Sequence, residues 1–244
     1  MPVESVLLAL VVVLAVAVEA SLGFGSTVIT VALASLWMPL GDIIPAMLPV
    51  NLVLSAYLVA RYRQHIAWRF LGTRVLPFMA LGLPAGFWLY AHYAGSGLKM
   101  GLGSFIVVLA TVELRKLRRP QLAATPGRIA ERLALIGAGI AHGAFASGGP
   151  LAVWVSGRAL EDKAVFRASL SLLWLVLNLV LVAAFLQQGQ LGAASLRTSA
   201  LILPSLALGV WAGEWAHARI AVGPFRIGVY VTLLVVGALL VAKG

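Results

Sequence analysis

Apolar segments follow one another along almost the whole chain: 4–20, 26–38, 43–60, 75–92 and 98–114, then 133–143, 150–157, 166–187, 198–217 and 225–242. The longer ones match the roughly 20 residues that carry a helix across a bilayer. With 61% hydrophobic and only 11% charged residues, the chain has little from which to make a soluble surface. In hydrocarbon every backbone N–H and C=O must be satisfied by the protein itself, which leaves helices for segments of this length. The expected fold class is therefore an all-α integral membrane protein.

Two stretches break this pattern. Ser21-Leu22-Gly23-Phe24-Gly25-Ser26-Thr27 interrupts the first apolar run, and Gly143-Ala144-Phe145-Ala146-Ser147-Gly148-Gly149-Pro150 sits at a comparable place in the second half. Glycine and hydroxyl residues are poor helix material. Irregular backbone at membrane depth is tolerated only where protein buries it or it lines a cavity.

The halves also resemble each other. Asn51-Leu52-Val53-Leu54-Ser55-Ala56 matches Asn178-Leu179-Val180-Leu181-Val182-Ala183 at an offset of 127, and at that offset LPxxALGxxxGxW recurs, from Leu76 to Trp88 and from Leu203 to Trp215. Gly101 and Gly228 continue the register. Around the breaks an offset of 123 sets Glu19 opposite His142 and Gly25 opposite Gly148. These matches read as a tandem duplication, with a first membrane repeat over 1–114, a basic cytoplasmic linker over 115–132 and a second repeat over 133–244.

Segments 26–38, 133–143 and 150–157 reach only about 12–20 Å as helices, short of a roughly 30 Å core. They read as half-helices of re-entrant hairpins. One hairpin and three transmembrane helices per repeat make an odd number of crossings, hence inverted repeats. In that topology 15 of the 18 Lys and Arg residues fall on one side and only Lys99, Arg197 and Lys243 on the other; eight simple spans would divide them 12 to 6. Lys and Arg concentrate on the cytoplasmic side, which favours hairpins, with both termini non-cytoplasmic. The formal charge of +10 is thereby a matter of orientation and of contact with membrane lipid, and no nucleic acid partner is expected. Met1-Pro2-Val3-Glu4 lacks a basic n-region, so no cleaved signal peptide is expected, nor a soluble domain at either end.

A half-helix starting near Ser26 or Gly149 points free N–H groups and a positive dipole end at the midplane, a general anion site and one that inverted-repeat transporters use. Ser21, Ser26, Thr27 and Ser147 offer hydroxyl donors, and Gly23, Gly25, Gly148 and Gly149 allow close backbone approach. Pro150 suits the first turn of its helix. Asn51 and Asn178 lie in full spans at matched positions, where they contact substrate or bridge helices. Glu19 is the one carboxylate deep in an apolar segment and, with His142, is the candidate for proton coupling. Gly82/Gly86 and Gly209/Gly213 are packing notches, and Trp88 and Trp215 suit the interfacial belt. No cysteine and no metal-ligand spacing is present, so no metal or cofactor is expected. Ser147-Gly148 superficially resembles an intramembrane protease nucleophile, but Phe145 stands where that motif has glycine and no His is placed to activate the serine. No enzyme is expected.

Two repeats, each opening with a glycine-rich break after an apolar segment, resemble the sulfite exporter TauE/SafE family of membrane permeases, of the toluenesulfonate uptake permease superfamily. Gly143–Leu151 carries the best local match, while Gly23-Phe24-Gly25-Ser26 has Ser26 where a further glycine is common. The resemblance implies a small anionic substrate: sulfite, a sulfonate such as sulfoacetate, or a related organic acid. The expected function is a secondary transporter, by the family's association an exporter, in the bacterial cytoplasmic (inner) membrane. The substrate would be bound between two half-helix N-termini and moved by alternating access. The competing expectation is a non-transporting membrane scaffold or assembly partner.

Overall fold

A computed structural model describes residues 3–93, 96–118, 127–219 and 222–243, and among these there is no strand. The first half comprises α1 (Val3–Leu22), α2 (Ser26–Ala34), α3 (Leu40–Tyr62), the single turn α4 (Trp68–Phe70), α5 (Leu76–His92) and α6 (Ser96–Arg118). The second comprises α7 (Arg128–Phe145), α8 (Gly149–Ala159), α9 (Lys163–Gln187), α10 (Ala193–Ile202), α11 (Ser205–Arg219) and α12 (Val222–Lys243). Among the described residues, five helical stretches are long and apolar enough to cross a membrane, a sixth if α10 and α11, bent by 42°, count as one; Ile227–Ala242 is shorter. The chain is a multi-pass, all-helical membrane protein.

Two elements differ in extent from the sequence expectation. α6 continues through Arg118 and α7 begins at Arg128, so both reach into the stretch read as linker; residues 119–126, with Arg119, Pro120 and Pro126, lie outside the described residues. The added first turn of α7 is charged, and Glu131 within it pairs with Arg74 at 3.6 Å. Charged residues at a helix end can stay hydrated while the rest of the helix enters the apolar layer, which an apolar-run criterion does not register.

The repeated Leu-Pro sequence bends both halves. Pro77 follows a π turn at Leu71–Val75, whereas Leu203-Pro204 separates α10 from α11. A proline inside a helix removes one hydrogen bond and clashes with the preceding turn. One half absorbs this by widening the helix, the other by breaking it.

Both breaks turn the chain back on itself. Gly23 N–H donates to Glu19 O at 2.7 Å and ends α1; positive φ at Gly23 (85°) and Gly25 (117°) then redirects the backbone. α2 doubles back along α1, with Val18 and Ile29 flanking Gly25 and with Leu14, Val18, Ile29 and Leu33 along one cleft. In the second half Ala146, at φ 50°, ends α7, and Leu151 of α8 returns past Gly137.

Packing joins each half to the other. On α5 and α7, Gly82, Gly86, Gly139 and Gly143 interlock so closely that an added Cβ would lie 2.0–2.2 Å from a carbonyl oxygen of the partner helix. Gly209 and Gly213 of α11 seat α1 over Val13–Ala20, and Ser21 Oγ donates to Gly213 O at 2.8 Å. In these two pairs residue numbers rise together, so the helices run parallel. α3 and α9 run antiparallel, since Arg167 near the start of α9 stacks on Tyr62 at the end of α3. α6 and α12 cross antiparallel at Gly103 and Gly237. Small residues at the α5–α7, α1–α11 and α6–α12 crossings allow the close backbone approach that drives helix association in lipid. Trp88 and Trp215 face outward.

Candidate functional site

The two hairpin tips meet. Gly149, the first residue of α8, packs on the ring of Phe24 between the two glycines of the first break. Beside this contact lies a buried pocket lined by Glu19, Phe24, Gly25, Thr27, Val28, Asn51, His142, Ala146, Ser147, Gly148, Gly149, Trp174 and Asn178. Of the residues singled out from sequence, Glu19, Gly25, Thr27, Asn51, His142, Ser147, Gly148, Gly149 and Asn178 line it, and Ser26 is bonded to Glu19 behind it. Ser21 and Gly23 lie off it: the hydroxyl of Ser21 ties α1 to α11, and Gly23 packs against the backbone of Arg167.

The two halves of the pocket are built alike but finished differently. In the first, the carboxyl of Glu19 occupies the N-terminus of α2: Ser26 N–H donates to Glu19 Oε2 at 2.9 Å, and Ser26 Oγ bonds the same oxygen. Ser26 Oγ also lies 3.0 Å from Asn51 Oδ1, while Asn51 Nδ2 donates to Thr27 Oγ1 at 2.7 Å. In the second, Gly148 N–H points to His142 Nδ1 at 3.4 Å. That leaves the proton of a neutral imidazole on Nε2. His142 Nε2 and Asn178 Oδ1 are both buried and face each other as donor and acceptor, short of ideal hydrogen-bond geometry.

Three features of the site escaped the sequence reading. Trp174 donates to Gly23 O at 3.0 Å and stacks on His142 at 5.8 Å, joining the two tips. Arg167 donates from Nη1 to Ala20 O at 2.8 Å, a cation on the C-terminal carbonyls of α1. Phe24 forms the contact between the tips. Arg167, Ser171, Trp174 and Asn178 share one face of α9 at helical spacing, and that face was the signal available.

The cavity measures about 20 Å³, room for about one water by the usual minimum. A sulfur oxyanion needs more room than this. No Lys or Arg is among its lining residues. Negative charge would be met by backbone N–H groups, helix dipoles and neutral donors.

Helical spans around a buried polar pocket at the meeting of two broken helices are the architecture of a membrane transporter. The chain matches the family model described as "Sulfite exporter TauE/SafE" over residues 8–240, and it belongs to that family. No curated protein and no solved structure matches it. The family consists of membrane permeases of the sulfite-exporter type, so the chain is a transporter of that general class.

Proposed function

We propose that this chain is a secondary transporter, and by family association an exporter, of a small sulfur-containing anion such as sulfite or an organosulfonate. The anion binds in the pocket between the tips, chiefly at the N-terminus of α8, and crosses by alternating access. The observation that carries this reading is the convergence of the His142 imidazole, the Ser147 hydroxyl and the N-terminus of α8 on one pocket where the two hairpin tips meet. An imidazole N–H and a helix N-terminus are donors for an oxyanion. The N-terminus of α2 is already taken by Glu19, which makes Glu19 the natural carrier of a coupled proton.

Inverted repeats belong to the same proposal. α3 and α9 are equivalent by the 127 offset, as are α6 and α12, and both pairs are antiparallel. An inverted pair interconverts inward- and outward-open forms by exchanging the conformations of its halves. The doubled-back α1–α2 and α7–α8 support the re-entrant topology and both termini on the non-cytoplasmic face.

The test is flux in proteoliposomes under an imposed pH gradient, with sulfite, sulfate, methanesulfonate and a carboxylate compared. Selective, gradient-driven movement of a sulfur oxyanion is expected, and it should be lost in Ser147→Val and Gly148→Leu. Protein that inserts correctly and moves none of these anions would refute the proposal.

A further inference from the structure

The hydrogen bonds of the first half can be counted proton by proton. Ser26 Oγ stands between Glu19 Oε2 and Asn51 Oδ1. A hydroxyl has one proton and donates to only one of them. When it donates to Asn51 Oδ1, the bond to Glu19 exists only if the carboxyl brings its own proton, so Glu19 is a neutral acid donating to Ser26 Oγ. Asn51 Nδ2 then donates to Thr27 Oγ1, and the hydroxyl proton of Thr27, a pocket-lining residue, is free.

With Glu19 ionised, the side-chain bonds run the other way. Ser26 Oγ–H and Ser26 N–H both donate to the carboxylate. The Asn51 amide turns over, so that Nδ2 donates to Ser26 Oγ and Oδ1 accepts from Thr27 Oγ1–H. All groups are satisfied again, but the Thr27 proton is now committed to Asn51. The two states differ by one proton on Glu19 and by one hydroxyl donor offered to the pocket.

We propose that Glu19–Ser26–Asn51–Thr27 is a proton-linked relay, in which protonation of Glu19 releases the Thr27 hydroxyl to bind the anion. Proton and anion therefore bind together, with Ser26 and Asn51 as positioning residues that pass the protonation state of Glu19 on to Thr27. This rests on the anion site proposed above. The second half cannot do the same: the positions equivalent to Ser26 and Thr27 are Gly149 and Pro150, which carry no hydroxyl. Coupling is thus one-sided in a pseudo-symmetric site. Among the described residues, ionisable groups on the elements around Glu19 include His142 across the pocket, Arg167 bonded to Ala20 O, Asp42 at the start of α3, Lys99 and Glu113 on α6, Arg197 on α10, and Glu214 on α11, which accepts from Tyr62. None of them is a member of the chain of four.

The experiment is calorimetric titration of the purified full-length protein with methanesulfonate, a permanent anion that takes up no proton itself. Buffers of different ionisation enthalpy give the protons absorbed per anion bound, across pH. Wild type is expected to absorb close to one proton per anion once Glu19 starts ionised. Glu19→Gln should bind with none. Thr27→Val should bind about tenfold or more weakly and also without proton uptake, and Thr27→Ser should restore both. Infrared difference spectra supply a second readout: anion binding should increase the carboxylic-acid C=O band in wild type but not in Thr27→Val. Proton uptake that persists in Thr27→Val overturns the relay while leaving the anion site standing. Absence of binding of both methanesulfonate and sulfite to wild type removes the anion site, and the relay with it.

Discussion

Replacing Gly86 by alanine tests the interlock between α5 and α7. An alanine Cβ at this position would lie 2.0 Å from Ile140 O, 2.8 Å from Ile140 C and 2.9 Å from Ala144 N, whereas ordinary contact begins at 3.4 Å. The atoms it meets are backbone, so no side chain can swing aside and the helices must part by roughly 1.4 Å at this point. A gap of 0.5–1 Å already forfeits about a quarter to a half of each dispersion contact, and overpacking of this kind costs about 1–3 kcal/mol or more. For a chain of this length that lowers the melting temperature by about 2–4 °C per kcal/mol. Gly228→Ala is the control, because nothing lies within 4 Å of its Cβ and alanine is intrinsically the better helix former by about 0.5–1 kcal/mol. The assay is thermal unfolding in detergent, followed by loss of the monodisperse chromatographic peak. Gly213→Ala, 2.5 Å from Ala17 O, should fall between the two. Gly86→Ala melting with Gly228→Ala would refute the packing argument.

Three further outcomes are expected. Asn178→Leu, which removes the group facing His142 Nε2, should weaken anion-dependent thermal stabilisation about tenfold in half-saturating concentration. In proteoliposomes, Glu19→Gln should leave anion exchange intact while abolishing its response to a pH gradient; unchanged pH dependence would take Glu19 out of coupling. Trp174→Phe keeps the stack on His142 but loses the bond to Gly23 O, and should destabilise by about 1 kcal/mol, read as a lower melting temperature.

Much of the helical layout was legible from hydropathy, because the requirement for internal hydrogen bonding leaves an apolar run few alternatives. The breaks were legible for the complementary reason: Gly23, Gly25 and Gly148 have no place in a membrane helix unless the backbone turns there. Which residues then face one another was less accessible. Asn51 and Asn178 stood out by matching at offset 127, yet only three-dimensional packing places Asn51 against Ser26 and Thr27. Arg167 was hidden because an arginine near the start of a span has a ready interfacial explanation, and Trp174 because a tryptophan in the middle of an apolar run reads as packing. Ser21 looked equivalent to the other hydroxyls until its partner across 192 residues came into view. The beginning of α7 was misjudged because its first turn pairs Glu131 with Arg74, a contact no single segment reveals.

The glycine-notched helix of each half grips the hairpin of the other, with Ser21 of α1 bonded to Gly213 of α11. A ribosome adds about 5–20 residues per second, so α1 enters the membrane on the order of 10–40 s before its clamp exists. During that interval the tip bearing Glu19 has no α11 beside it, and until α9 is made it has no Trp174 either. The first half is therefore a dependent during synthesis, exposed to membrane quality control until the last quarter of the chain is made. Halves produced as separate chains should accumulate only when made together.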